Sequence, residues 1–155
     1  MLETPHVLVG AAIAAKVTNP ALAIPFALGS HFLLDKIPHW NPHTYTEAKK
    51  YGKPRRETSI IAGFDSSLAL FSGLTIAYFF SQFSLSHALV IVTACFFSVL
   101  PDISKIPYYY FGRKKGLLKK WVDIERAIQV EVKSPLLGIL TQLSVSLAAI
   151  WWIIG

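Results

Sequence analysis

Cysteine and charge are what this chain lacks. Cys95 is its only cysteine, which excludes an intrachain disulfide framework. Charged residues make up 15% of its 155 positions, against about 25% in an average soluble domain. With a hydrophobic share of 53%, that shortage excludes a disordered chain, which needs low hydrophobicity and high charge. Nine glycines and nine prolines, scattered without period, exclude collagen-like and low-complexity architectures. H-E-x-x-H, G-x-S-x-G, P-loop and glycine-rich dinucleotide signatures are all missing, so no familiar soluble-enzyme motif is present. What remains is a single, very apolar domain.

The distribution of charge turns this into a membrane reading. No Asp, Glu, Lys or Arg occurs from Ser66 to Pro101, from Ser134 to Gly155, or from Val17 to Leu34. A bilayer-crossing helix needs roughly 20 apolar residues. The central run divides at Ser81-Gln82-Phe83-Ser84 into two pieces of that order. The tail supplies a third and ends near Trp151-Trp152, an aromatic pair suited to headgroups. A soluble bundle is the competing reading, but a domain this small cannot hide three long uncharged helices from water. Two shorter apolar pieces, on either side of Thr18-Asn19-Pro20, precede these three. Gly10 and Ala14, among further alanines, give the first of them a small-residue face fit for close helix contact. Glu3 and the absence of Lys or Arg before this stretch argue against a cleaved signal peptide.

The expected fold is therefore an all-α integral membrane bundle of about five hydrophobic helices in one domain, 1–155. It comprises helical pairs over 4–38 and 60–107, an interfacial helix over 115–132 and a C-terminal membrane helix over 134–154. The interfacial helix is amphipathic and basic: Leu117, Leu118, Trp121, Ile124, Ile128 and Val132 recur at helical spacing, with Lys119, Lys120, Asp123 and Arg126 largely opposite. Anionic headgroups are its expected partner, and an ordinary cytoplasmic linker helix is the alternative. Basic residues cluster between Lys36 and Arg56 and between Lys105 and Lys133, leaving only Lys16 elsewhere. The positive-inside rule then predicts a multi-pass cell-membrane (inner-membrane) protein with a cytoplasmic N-terminus. These loops account for the net charge of +6, so nucleic acid is not an expected partner. No oligomeric state follows from the sequence.

Against this background the polar residues at the ends of apolar segments stand out. His6 begins the first helix, Asp35 and His39 end the second, Asp65 is expected to open the third, and Asp102 ends the fourth. All of these ends fall on the predicted cytoplasmic side. His31 lies four residues before Asp35, on the same helix face, and Pro38 ends that helix so that His39 can fold back. An ionisable group against hydrocarbon is costly and usually faces the bundle interior with a task. Imidazole and carboxylate together suit a divalent metal, with zinc first and manganese or iron as alternatives. The candidate ligands are His6, His31, Asp35, His39, Asp65 and Asp102. Asp65 doubles as a candidate general base and His39 as a candidate proton donor. The plainer alternative is that the aspartates cap helices or pair with Lys36 and Lys105. A faint internal echo, Lys36-Ile37-Pro38 and Lys105-Ile106-Pro107, hints at a duplicated helical hairpin.

Three short motifs carry a resemblance. Thr4-Pro5-His6, Ser30-His31 through Asp35 with Pro38, and Leu100-Pro101-Asp102 resemble the predicted membrane-bound metal-dependent hydrolases, the YdjM-like inner-membrane family. The His31/Asp35/His39 segment is also similar to the metal-binding helix of zinc-dependent phospholipase C and the related single-strand nucleases. In the family pattern Leu-Pro-Asp precedes the His/Asp helix, whereas here it follows, and the family's His-Arg-Gly-x-x-His stretch has no counterpart. The resemblance implies a membrane-embedded metal-dependent hydrolase. A phosphoester, with a lipid headgroup favoured, is the substrate expected at such an interface. The alternative is a non-catalytic scaffold whose metal or polar cluster ties helix ends together.

Overall fold

The computed structural model describes all 155 residues and is entirely helical apart from one isolated bridge. Eight helices follow in order: α1 Glu3–Lys16, α2 Pro20–Leu34, α3 Thr44–Tyr51, α4 Arg56–Ser81, α5 Leu85–Ile103, α6 Ile106–Tyr110, α7 Gly116–Ile128 and α8 Pro135–Ile154. Local chemistry sets several starts. Asn19 Oδ1 accepts from the Ala21 amide at 3.0 Å, with Pro20 opening α2. Ser84 and Ser134 cap α5 and α8 in the same way. Each supplies an acceptor for an amide that the first turn leaves unpaired.

Three stretches are long and apolar enough to cross a membrane: α4, α8, and α5 taken with α6. At 1.5 Å per residue α4 reaches about 39 Å and α8 about 30 Å, against a hydrocarbon core of about 30 Å. The five expected hydrophobic helices all form, but α1 and α2, of 14 and 15 residues, reach only about 21–23 Å. They fall short of a crossing by themselves.

Instead α1 is the axis of the bundle, in contact with α2, α4, α5 and α8. Its Ala11, Ala12 and Ala14 are fully buried. At Gly10 a Cβ would lie 2.8 Å from Ser98 Cβ, so only glycine allows α1 and α5 this approach. The pattern on α4 is equally telling. Its buried face is Thr58, Asp65, Ala69, Gly73 and Ala77, while Phe64, Leu70, Phe71, Tyr78 and Phe79 are exposed. Small residues inside and large apolar ones outside is how helices pack when the surroundings are lipid. Only 37 of 155 residues are buried, so much of the hydrophobic surplus lies on the surface, far beyond the apolar patches of a soluble monomer.

The remaining elements close one end. The amphipathic helix ends at Ile128 rather than Val132, and Gln129–Val132 continues in extended form beside the loop after α2. There Val130 N donates to Asp35 O, His39 N to Val130 O, and Val132 N to His39 O, at 2.9–3.1 Å. Trp40 packs so tightly on Gly138 of α8 that a Cβ there would sit 2.2 Å from the Trp40 nitrogen.

Candidate metal centre

Four elements deliver side chains to one point at this closed end. α1 contributes His6 from its first turns, and α2 contributes His31 from its last turn and Asp35 as its C-cap. Asp102 follows Pro101 near the end of α5, and Glu125 comes from α7. His6, His31, Asp35 and His39 have no exposed surface, and Glu125 has 1%.

The two imidazoles of His6 and His31 stack with centroids 4.1 Å apart. Asp35 spans them: Oδ1 lies 3.4 Å from His6 Nε2 and Oδ2 lies 3.5 Å from His31 Nε2. Glu125 Oε1 is 3.3 Å from His31 Nε2. His6, His31 and Asp102 each bring one ligand atom within 4.8 Å of the others, a set that could hold a metal ion.

Supporting contacts orient these ligands. His31 Nδ1 lies 2.8 Å from the Ser98 carbonyl oxygen; donation there puts the proton on Nδ1 and leaves the Nε2 lone pair facing the cluster. His39 repeats the arrangement, with Nδ1 2.7 Å from Ile37 O, and its Nε2 accepts from Asn41 Nδ2 at 3.1 Å. Burial and the nearby N-terminal ammonium hold the His39 imidazole below its ordinary pKa, so it is neutral at pH 7. Gln129 Nε2 donates to Asp35 Oδ2 at 3.1 Å. A ring N–H fixed by a carbonyl and a carboxylate fixed by a donor are the usual surroundings of metal ligands.

Two further features bear on what the cluster can do. His6 at both ring nitrogens, His31 Nε2 and Asp102 Oδ2 are buried without a hydrogen-bond partner. Such orphans are rare because each forfeits the hydrogen bonds it would make in water. A divalent cation would satisfy one His6 nitrogen together with His31 Nε2 and Asp102 Oδ2, so the donor set fits a metal. A countercharge is also in place. Lys105, 5% exposed, sits 2.6 Å from Asp102 Oδ1 and pairs with Glu125 as well, while the Met1 ammonium pairs with Asp35. A polar cavity of about 130 Å³ adjoins the site, with Asp102, Lys105, Glu125, Arg126 and Gln129 in its wall.

Of the residues expected from sequence, His6, His31, Asp35 and Asp102 come together, and His39 stands at the edge with Nε2 3.9 Å from Asp35 Oδ1. Asp65 does not join them, which corrects its assignment as ligand or base. It lies well inside α4, which begins at Arg56, and both its oxygens are engaged in capping α1. They accept from Glu3 N at 2.5 Å, Thr4 N at 3.2 Å and Thr4 Oγ1 at 2.7 Å. His87 is remote and contacts the Ala14 carbonyl at 2.9 Å. Glu125 and Gln142 were not anticipated, whereas the Lys105–Asp102 pair is the one the plainer alternative named. Gln142, buried within α8, accepts from Leu2 N at 2.7 Å and donates to Trp40 O at 2.8 Å, tying the start of α1 and the loop after α2 to a membrane-length helix. No family model, curated protein or solved structure matches this chain.

Proposed function

We propose that this chain is a membrane-embedded, divalent-metal-dependent hydrolase of phosphoesters, acting at the cytoplasmic face of the cell membrane. The observation that carries the reading is the set of buried His6 and His31 with the half-buried Asp102, its orphaned nitrogens lying beside a polar cavity. Zinc is the first choice for this mixture of imidazole and carboxylate, with manganese or iron as alternatives. When bound, such an ion lowers the pKa of its water towards ~7 and polarises a phosphoryl oxygen. His6, His31, Asp35 and Asp102 hold it, and His39, neutral with its Nε2 lone pair engaged by Asn41, stands at the edge as a further ligand rather than the proton donor expected from the sequence. Glu125 takes the general-base role first given to Asp65, since it both touches His31 and faces the cavity. Lys105 and Arg126 line the cavity but are already paired with Asp102, Glu125 and Glu131, so the positive charge for an anionic phosphoryl group would come from the bound ion. Two basic segments at this end of the bundle support a cytoplasmic placement, and the likeness to the predicted membrane-bound metal-dependent hydrolases belongs to the same proposal.

A second reading has its own observation. Lys105 and the Met1 ammonium already neutralise the carboxylates, as a metal-free scaffold tying helix ends together would require. Elemental analysis of protein purified in mild detergent separates the two. The hydrolase reading expects about one divalent ion per chain, lost when His31→Ala and Asp35→Ala are combined, with hydrolysis of an aryl phosphodiester lost in parallel. Metal-free protein that stays unloaded after zinc dialysis leaves the scaffold.

A further inference from the structure

A second cavity, of about 450 Å³, lies between α4 and α5 against α1 and is lined mainly by apolar residues. Glu3 and Ile106 belong to its wall and also to the wall of the polar cavity beside the metal centre. The two cavities therefore share part of their walls, and the apolar one starts beside the cluster and runs down the side of the bundle.

The shape of this groove has local causes. Its floor is made of small or buried residues: Ala69 and Gly73 from α4, Cys95 and Val99 from α5, and Val7 from α1. At Gly73 a Cβ would approach Val7 Cγ1 to 3.0 Å and Cys95 Sγ to 3.3 Å, so a larger residue would push into the floor. Its rim is Leu70, Leu74, Val92 and Phe96, all substantially exposed on two membrane-length helices. From Ile103 beside the site to Val92, α5 rises about 17 Å, the reach of a medium-length alkyl chain.

We infer that this groove seats the hydrocarbon chain of a single-chain anionic lipid phosphoester whose headgroup enters the polar cavity at the metal centre. The inference deepens the hydrolase reading and rests on it. The occupant must be amphiphilic because the groove is apolar along α4 and α5, while the cavity that shares Glu3 and Ile106 with it is lined by charged groups already paired with one another and adjoins the His6–His31–Asp102 set, whose ion would receive an anionic headgroup. One groove admits one chain. A chain leaving bilayer for groove gains little hydrophobic free energy, since lipid tails are as apolar as the groove. Its contribution is orientation, holding the headgroup where the cluster can reach it.

The test uses the full-length chain in phosphatidylcholine nanodiscs with zinc. The probe is dodecyl phosphate with a diazirine at the chain end, and cross-linked residues are mapped by mass spectrometry. Saturable labelling near Leu74 and Phe96 is expected, displaced by unlabelled dodecyl phosphate but not by dodecanol or inorganic phosphate. Val92→Trp, which fills the rim, should abolish that labelling while metal content, the check on folding, stays at the wild-type value. Unsaturable labelling spread over the lipid-facing sides of α4 and α8 means ordinary bilayer lipid fills the groove, and overturns the inference. Cross-linked dimers with an unlabelled groove mean a second copy covers it, with the same consequence. In parallel, p-nitrophenyl dodecyl phosphate should exceed the ethyl analogue in kcat/KM by roughly tenfold, a ratio that Val92→Trp collapses. Saturable labelling with neither ester hydrolysed would reject the hydrolase reading and leave the groove assignment standing.

Discussion

Replacing Lys105 with methionine puts the metal hypothesis under direct thermodynamic test. The lysine is almost fully buried and pairs with both Asp102 and Glu125, and methionine keeps much of its length while deleting the charge. Two buried carboxylates then lose their shared cation, a change that typically costs ~3–5 kcal/mol. For a chain of this size each kcal/mol moves Tm by about 2–4 °C, so the metal-free variant should melt roughly 10 °C lower. A divalent ion on His6, His31 and Asp102 supplies positive charge at the same place. If it recovers even ~2 kcal/mol of the loss, linkage requires the variant to bind that ion about 30-fold more tightly than wild type. Zinc at a hundred times Kd should stabilise wild type by ~2.7 kcal/mol, and the variant by that amount plus the recovered share. The assay is thermal unfolding in detergent micelles across a zinc titration, with Lys105→Arg as the charge-preserving control. An equal zinc-induced rise in wild type and Lys105→Met, or no rise in either, would refute the reasoning.

Asp65→Asn should leave metal content unchanged but lower stability by roughly 1–3 kcal/mol in denaturant unfolding, because both Asp65 oxygens accept from the start of α1 and a side-chain amide can accept with only one of its two groups; metal loss in the asparagine variant would restore Asp65 to the ligand set. Burial pushes the Glu131 carboxyl up, but its bond to the Arg126 guanidinium more than offsets this and holds it below its usual value. With the folded pKa depressed, the contribution is present above the unfolded value of ~4.5 and is lost as pH falls through the folded one. Stability should therefore decline on acidification below about pH 4.5, and Glu131→Gln should flatten that part of the profile; an unchanged slope would dismiss the pairing as a stability determinant. In a Cys95-free background, single cysteines at Lys50 and Lys115 should resist a membrane-impermeant thiol reagent in intact cells, while one at Gln82 should react; the reverse pattern would invert the topology.

How much of this was legible in the chain can be traced residue by residue. The apolar helices were readable because missing charge is a property of the sequence itself, and the Gly10–Ala14 face because small residues at helical spacing have one main use in lipid. The His31–Asp35 pair followed from four-residue spacing alone. Asp65 misled because its apolar run begins there, while α4 begins at Arg56; helix continuity through Glu57 and Ser59 owes more to packing than to the hydrophobic pattern. Its oxygens face α1, a contact separated by about sixty residues in sequence, and no local pattern reports that. Glu125 was hidden for the opposite reason. Among Lys119, Lys120, Asp123 and Arg126 it looks like one more solvated charge, yet it stands four residues after Trp121, three after Val122 and three before Ile128, on the side that turns inward. A carboxylate on the apolar stripe of an amphipathic helix was the available signal.

That position of Glu125 joins the outer face of α7 to the site. The same helix carries Leu117 and Ile124, 84% and 56% exposed, on its outer side and Glu125 on its inner side. Lys119 and Asp123, 2.5 Å apart, lie on its outer, solvent-exposed surface. Immediately after it, Val130 N bonds to Asp35 O, and Val130 O accepts from His39 N. α7 and its extension thus form the cover over the His6–His31 pair, and the outward leucine and isoleucine are what a headgroup layer would engage. Any shift in how α7 seats on that layer must move Glu125 relative to His31 and Lys105, because helix and carboxylate move as one body. Under the proposed function the cover and the general base belong to one short element, so a lipid surface that engaged α7 would set access to the cluster and the position of Glu125 together.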